Sequence, residues 1–169
     1  MLKESLVGTT LSAKPGSQYE YSNLGVGLLG YALTQYAQTS YEDLLRENIT
    51  GPMGLTHTSV DVGANKRELV AQGYGMIGEE VPDWDMLTLI GMGEINSNTQ
   101  DLLTFLSMQL NPPDTMFGKA IEMTQQSWFR KKRDFVGLGW HIGFRDSPNL
   151  IWHNGGTGGS RSFVAFDPI

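Results

Sequence analysis

A chain of 169 residues, 40% hydrophobic and 18% charged, has the balance of one globular domain, two at most, and not of a disordered segment. Its net charge of −6 sets it against phosphate backbones, which argues against a nucleic-acid partner. It has no cysteine, which excludes disulfides and thiolate metal sites, and its apolar runs are too short to span a bilayer.

At this size a single domain is expected to bury roughly 70% of its unfolded surface. Met1-Leu2-Lys3-Glu4-Ser5 does not read as a signal peptide. From Gly8 to Gln18, Thr, Ser, Pro and Gly crowd together as a loop, with Pro15-Gly16 as its turn signal. Tyr19-Glu20-Tyr21-Ser22-Asn23 then opens a long helical pattern. Leu24, Leu28, Tyr31 and Gln35 share one row, flanked by Leu29, Leu33 and Tyr36, which predicts a deeply packed helix. Gly25, Gly27 and Gly30 lower its propensity, so close approach of other backbone is the expected reason for them.

Ser40-Tyr41-Glu42-Asp43 resembles a capping box and predicts a short helix ending near Asn48, stopped by Gly51-Pro52-Met53-Gly54. Residues 58–93 are irregular, and Asp83 and Asp85 flank Trp84 in a solvated loop. A third helix is capped by Asn98 or Thr99, lined by Leu102, Phe105, Leu106 and Leu110, and ended by Pro112-Pro113. A fourth covers about Phe117 to Ser127. Arg130-Lys131-Lys132-Arg133 reads as a solvated turn.

After the basic run the pattern changes to strands over Phe135–Phe144, Leu150–Asn154 and Ser162–Phe166, with Asp146-Ser147-Pro148-Asn149 as the turn between the first two. Helices followed by an antiparallel meander indicate an α+β fold: a mainly helical region over 1–134 and antiparallel strands over 135–169, within one domain. His57, His141 and His153 lack the spacing of a helical zinc site, and no cofactor or metal is expected. His141 reads as a structural strand residue, and Trp84, Trp140 and Trp152 as core or pocket wall.

Two clusters carry chemistry. One is Tyr21-Ser22-Asn23; the other is His153-Asn154-Gly155-Gly156-Thr157-Gly158-Gly159. The second lacks the Gly-Lys-Ser/Thr ending of a phosphate loop and does not open a helix, so nucleotide binding is not indicated. In this order, separated by a helical block, the pair resembles the penicillin-recognising serine hydrolases: class C β-lactamases, DD-peptidases and family VIII-type esterases. Those enzymes use Ser-x-x-Lys, then Ser-Asp-Asn or Tyr-x-Asn, then Lys-Thr-Gly on a strand. Gly51-Pro52-Met53-Gly54-Leu55-Thr56-His57-Thr58, Gly137-Leu138-Gly139-Trp140 and Gly158 to Pro168 are similar to that family as well.

The resemblance implies a partial β-lactamase/transpeptidase-like fold and acyl-enzyme chemistry on amide or ester bonds. It implies Tyr21 as base or proton relay and Asn23 as a hydrogen-bond partner of a substrate amide. Gly156 would supply an oxyanion N–H, with His153, Asn154 and Gly155 forming the strand beside the acyl group. It also implies a bacterial source, with a periplasmic or secreted location suggested and a cytoplasmic one left open.

The departures from the pattern are specific. His153 stands where β-lactamases carry Lys, and imidazole, with an ordinary pKa near 6.5, is a weaker source of positive charge at neutral pH. Asn154 replaces Thr. No Ser-x-x-Lys occurs in the 169 residues, and Ser12 and Lys14 are two apart rather than three, so they do not share a helix face. The chain is therefore expected to be part of such a hydrolase and inactive alone. A non-catalytic binding or regulatory module that keeps the pocket is the alternative. The expected partners are a small-molecule or peptide substrate, together with self-association or a complementing fragment at an exposed sheet edge. Arg161, close behind the second cluster, could touch an acidic substrate.

Overall fold

The computed structural model describes residues 6–131 and 134–168; Met1–Ser5, and Lys132 and Arg133 of the basic run, lie outside the described residues. The first long helix, α1, spans Asn23–Ala37 and starts where Ser22, in extended conformation, accepts the Gly25 N–H at 3.0 Å. It ends at Gln38, whose left-handed backbone (φ 54°) returns its N–H to the Thr34 carbonyl. Ser40 caps α2 (Tyr41–Leu45) by accepting the Asp43 N–H at 3.0 Å.

The expected stop near Asn48 is not where the helix ends. A π-turn over Arg46–Thr50 continues into α3 (Gly51–Met53), and left-handed Gly54 (φ 69°) terminates it. Proline at the start of α3 is tolerated because first-turn N–H groups have no helical acceptor.

Two helical turns of the tighter 3₁₀ kind (Ala64–Leu69 and Leu87–Met92) and a small hairpin, β1 (Gly73–Tyr74) with β2 (Glu80–Val81), occupy the irregular middle. Asn98 caps α4 (Thr99–Leu110), and Thr115 caps α5 (Met116–Gln125). The loop after α3 is tied to α4 by Asp101, which is buried and accepts the His57 N–H and the Thr58 hydroxyl, each at 2.8 Å.

A five-stranded antiparallel sheet follows in chain order: β3 (Phe129–Lys131), β4 (Asp134–Val136), β5 (His141–Phe144), β6 (Ser147–Gly156) and β7 (Arg161–Phe166). The α+β order stands, with three differences of detail. The sheet begins at Phe129, within the stretch assigned to the helical region. The run 135–144 is two strands, broken at Gly137–Gly139, where Gly139 takes a φ of 82°. The turn after β5 is Arg145–Asp146, with Arg145 left-handed (φ 52°), because Phe144 already pairs with Ser147; Ser147, Pro148 and Asn149 belong to β6.

The core has two centres joined through Phe105. Met53, Leu55 and Ile121 form one; Trp140, Ile151 and Phe166 form the other, with Phe166 edge-on to Trp140 at 5.4 Å between ring centres. The expected deep packing of α1 is not observed. Leu24, Val26, Leu29, Leu33 and Tyr36 are exposed, and the helix buries only Gly27 and Gly30. The reason is the contact it makes. A Cβ on Gly27 would stand 3.0 Å from the Leu89 side chain, and one on Gly30 would stand 3.0 Å from Tyr41 and 3.3 Å from the Gly91 Cα. Backbone approach thus explains these two glycines as expected, and it leaves the leucines facing outward.

The 18.7 kDa chain exposes 12359 Å², where a compact monomer of that mass exposes about 8,300 Å², so roughly 55% of the unfolded surface is buried instead of 70%.

Candidate active site

The two sequence clusters meet. Tyr21 lies in the extended segment just before the Ser22 cap, and His153 lies on β6. Their rings are 6.2 Å apart, centre to centre, and inclined by 35°. Tyr21 is more than half exposed and His153 is half-buried, so their shared space opens to solvent. The segment carrying Tyr21 is held from its other end by Tyr19, whose ring sits 6.1 Å from Phe129 on β3. Burial, reinforced by the neighbouring Tyr21, keeps the Tyr19 phenol above its usual 10.0. Tyr19 is therefore an anchor that stays neutral. Asn23, exposed, is the first residue of α1, two positions after Tyr21.

His141 reaches the same place from β5. Its ring stacks 5.4 Å from His153 and 4.7 Å from Trp152, and Trp152 is fixed by its indole N–H to the Gly143 carbonyl at 3.0 Å. The three rings after Tyr21 therefore form a continuous row, His153–His141–Trp152. Sequence spacing gave no sign that His141 and His153 are neighbours, since they sit on different strands.

The strand around His153 has one open side. β6 pairs with β5 as far as Trp152, opposite His141; from His153 to Gly156 its strand partner among the described residues is β7 alone. His153 faces Val164, Asn154 faces Phe163, Gly155 faces Ser162 and Gly156 faces Arg161. On the β5 side the chain has already left at Gly139–Trp140, leaving backbone groups to which an extended ligand can add as a strand does.

The turn after Gly156 is tightly seated. Thr157 N–H bonds the Ser160 carbonyl at 3.2 Å, and Tyr74 N–H bonds the Gly159 carbonyl at 3.2 Å, so the β1–β2 hairpin rests on it. Gly158 is buried where a Cβ would stand 3.1 Å from the Trp84 ring. Trp84, half-exposed, is thus a wall at the turn end of the site, and Trp140 is core. Ser12 and Lys14 lie in an exposed loop, with no helix to align them.

The described residues contain no group of three or more His, Asp or Glu arranged to hold a metal ion. No helix among them is long and apolar enough to cross a membrane.

Comparison with known proteins gives one consistent result. A family model described as Beta-lactamase matches residues 2–169. The chain is 28% identical over 179 aligned residues to Protein flp of Staphylococcus aureus (strain MRSA252), which covers 97% of this chain and 34% of that protein. It is 27% identical to a Beta-lactamase of Yersinia enterocolitica over 143 residues, 76% of this chain and 34% of that one. The chain spans about a third of the length of these relatives.

Among solved structures, the D-alanine carboxypeptidase AmpC from Burkholderia cenocepacia superimposes with a TM-score of 0.87 at 24% identity, covering 99% of this chain and 57% of that one. A β-lactamase/D-alanine carboxypeptidase from Pseudomonas syringae gives 0.88 at 20% identity, covering 99% and 56%. These superpositions establish the β-lactamase/transpeptidase fold over part of its extent.

Proposed function

Because the chain belongs to the β-lactamase family of serine hydrolases, we propose that Tyr21 and β6 are two walls of an acyl-transfer site for amide or ester substrates. The observation that carries this is the 6.2 Å approach of the Tyr21 and His153 rings across two distant segments. Acyl transfer needs a nucleophilic hydroxyl, a group to take its proton and donors aimed at the developing oxyanion. Tyr21 is the proton acceptor or relay in this scheme, and His153 is the polar neighbour that orients it. Asn23 receives the substrate amide, Gly156 offers its N–H to the oxyanion, and Asn154 and Gly155 give the open strand edge along which the acyl group lies.

The missing part is the nucleophile, since no Ser-x-x-Lys occurs in these 169 residues. We propose that the chain alone does not turn over substrate and that its serine comes from a complementing segment. The outer edge of β7, unpaired among the described residues and bearing exposed Phe163, is a template for that segment. Nitrocefin and p-nitrophenyl acetate assays on the purified chain test this. No turnover above buffer is expected; turnover that vanishes in Tyr21→Phe would show that the chain carries its own nucleophile. The same absence favours one alternative, a binding module that keeps the pocket without the chemistry. A Ser-x-x-Lys encoded ahead of Met1 would decide for the hydrolase, and its absence for the module.

A further inference from the structure

The outer face of α1 carries a second pattern besides its buried glycines. Val26, Leu29, Leu33 and Tyr36 stand three, four and three residues apart, and all four are exposed, Tyr36 at 90% of its surface. That is the spacing of the first and fourth positions of a heptad, the seam along which two helices pack knobs into holes. The glycine side of the helix, at Gly27 and Gly30, is the one that meets the Leu87–Met92 turn and the Tyr41 ring. The seam lies on the other side.

The residues beside the seam point to what can cover it. Gly25, Ala32 and Ala37 flank it, and no residue of Asn23–Ala37 is charged. Lys and Glu at flanking positions choose partners by charge; small neutral residues let a second backbone approach and set no repulsion between identical copies. In a chain of net charge −6, two copies can meet on this face without opposing like charges. The side-chain sizes then choose a direction. In an antiparallel pair with its two-fold axis at the level of Tyr31, Leu29 faces the partner's Leu33 and Val26 faces the partner's Tyr36. Small meets large, and the helix dipoles oppose. A parallel pair sets tyrosine on tyrosine at one end, leaves two valines apart at the other, and aligns the dipoles.

Area sets the strength. From their exposures the four side chains offer roughly 500 Å² per copy, so a pair buries about 1,000 Å², the low end of a specific interface. The helix is already formed and capped at Ser22 in the single chain, so association need not order it. We infer that the chain forms a two-fold dimer through an antiparallel Val26–Leu29–Leu33–Tyr36 seam, with a dissociation constant on the order of 100 µM. At about 5 µM it is a monomer with that face in water. The dimer is independent of the chemistry proposed for Tyr21 and β6, and it is distinct from pairing at the outer edge of β7.

Sedimentation equilibrium of the full chain between about 5 and 500 µM tests the association. The weight-average mass is expected to rise from 18.7 kDa toward twice that value. Leu29→Glu and Leu33→Glu each bury a carboxylate against leucine and are expected to weaken pairing at least about tenfold. Both side chains are exposed in the single chain, so the circular dichroism of these variants should be unchanged. Phe163→Glu, on β7, is expected to leave pairing as it is. Cross-linking reads the direction, since the chain has no cysteine of its own. Under copper–phenanthroline and air, a mixture of Val26→Cys and Tyr36→Cys chains is expected to give the mixed disulfide, and neither chain alone a dimer. A mass that stays at 18.7 kDa throughout, or a dimer that survives Leu29→Glu or is lost in Phe163→Glu, overturns the seam. Disulfide dimers of either single variant overturn the antiparallel arrangement.

Discussion

The sheet with α4 and the helix α1 both carry runs of large apolar residues, yet they end in opposite situations. Ile151 and Phe166 on the sheet are nearly sealed, packed with Trp140 under Phe105 of α4. α1 has no charged residue in fifteen, but five of its large apolar side chains are exposed and its contact surface is made of glycines. Local pattern decides whether an element forms; which face is covered depends on what the rest of the molecule places against it. The sheet carries its own cover in α4, through Phe105 and Leu106. α1 meets the narrow Leu87–Met92 turn and the Tyr41 ring of α2, and its glycines let backbone approach closely there.

The largest effect that separates the two regions is truncation of a leucine-sized side chain in each. Ile151→Ala removes a residue with 3% of its surface exposed and is expected to cost about 3 kcal/mol through lost transfer energy and a residual cavity. Leu29→Ala, on the outer face of α1, is expected to change stability by no more than about 0.5 kcal/mol. Urea midpoints followed by far-ultraviolet circular dichroism measure both. A comparable loss at Leu29 would mean that the outer face of α1 is covered in solution, and the contrast between the two regions would fail.

A smaller effect sharpens the comparison from inside α1. Gly30→Ala gains helix propensity of about 1 kcal/mol but must push a methyl against Tyr41 and Gly91, so a net loss of about 1 kcal/mol is expected. Gly25→Ala meets only Ser22, at an ordinary 3.4 Å, and is expected to be neutral or mildly stabilising. Equal responses at the two positions would show that the α1 contact is looser than its distances indicate.

These residues also mark how much could be read from the sequence. The caps at Ser40 and Asn98 were legible because an N-cap is a local bargain between one side chain and an N–H three residues on; Ser22 was read only as part of the segment that opens α1. Gly27 and Gly30 were legible as sites of close approach, since nothing local explains their cost; Gly25, expected to be one too, meets only Ser22 of its own cap. The burial of α1 was not, because periodicity reports an apolar row and not its partner. The turn at Arg145–Asp146 was hidden because a left-handed arginine breaks the usual preference, whereas Ser-Pro-Asn looks like a turn even inside a strand. At the site, Tyr21 and His153 were readable only through motif order. His141 was not readable at all: its approach to His153 comes from the register that sets His141 against Trp152.

The smallest expected effect is a pH dependence on the α1 side. Tyr41 packs its ring against Gly30 and Gly91, and burial raises its phenol above the usual 10.0. The folded chain therefore keeps that proton where the unfolded chain releases it. The stability so contributed is complete below pH 10 and is lost as pH rises from there through the raised value. Tyr19, raised by burial and by Tyr21, adds to the same loss from the sheet side. Tyr41→Phe removes the first component and leaves the second, so its urea midpoint should fall less steeply between about pH 9 and pH 11 than that of the unaltered chain. Because the Tyr41 hydroxyl is not needed for the ring contact with Gly30, the two proteins should match below pH 9, and parallel curves above it would place Tyr41 in water and not beneath α1.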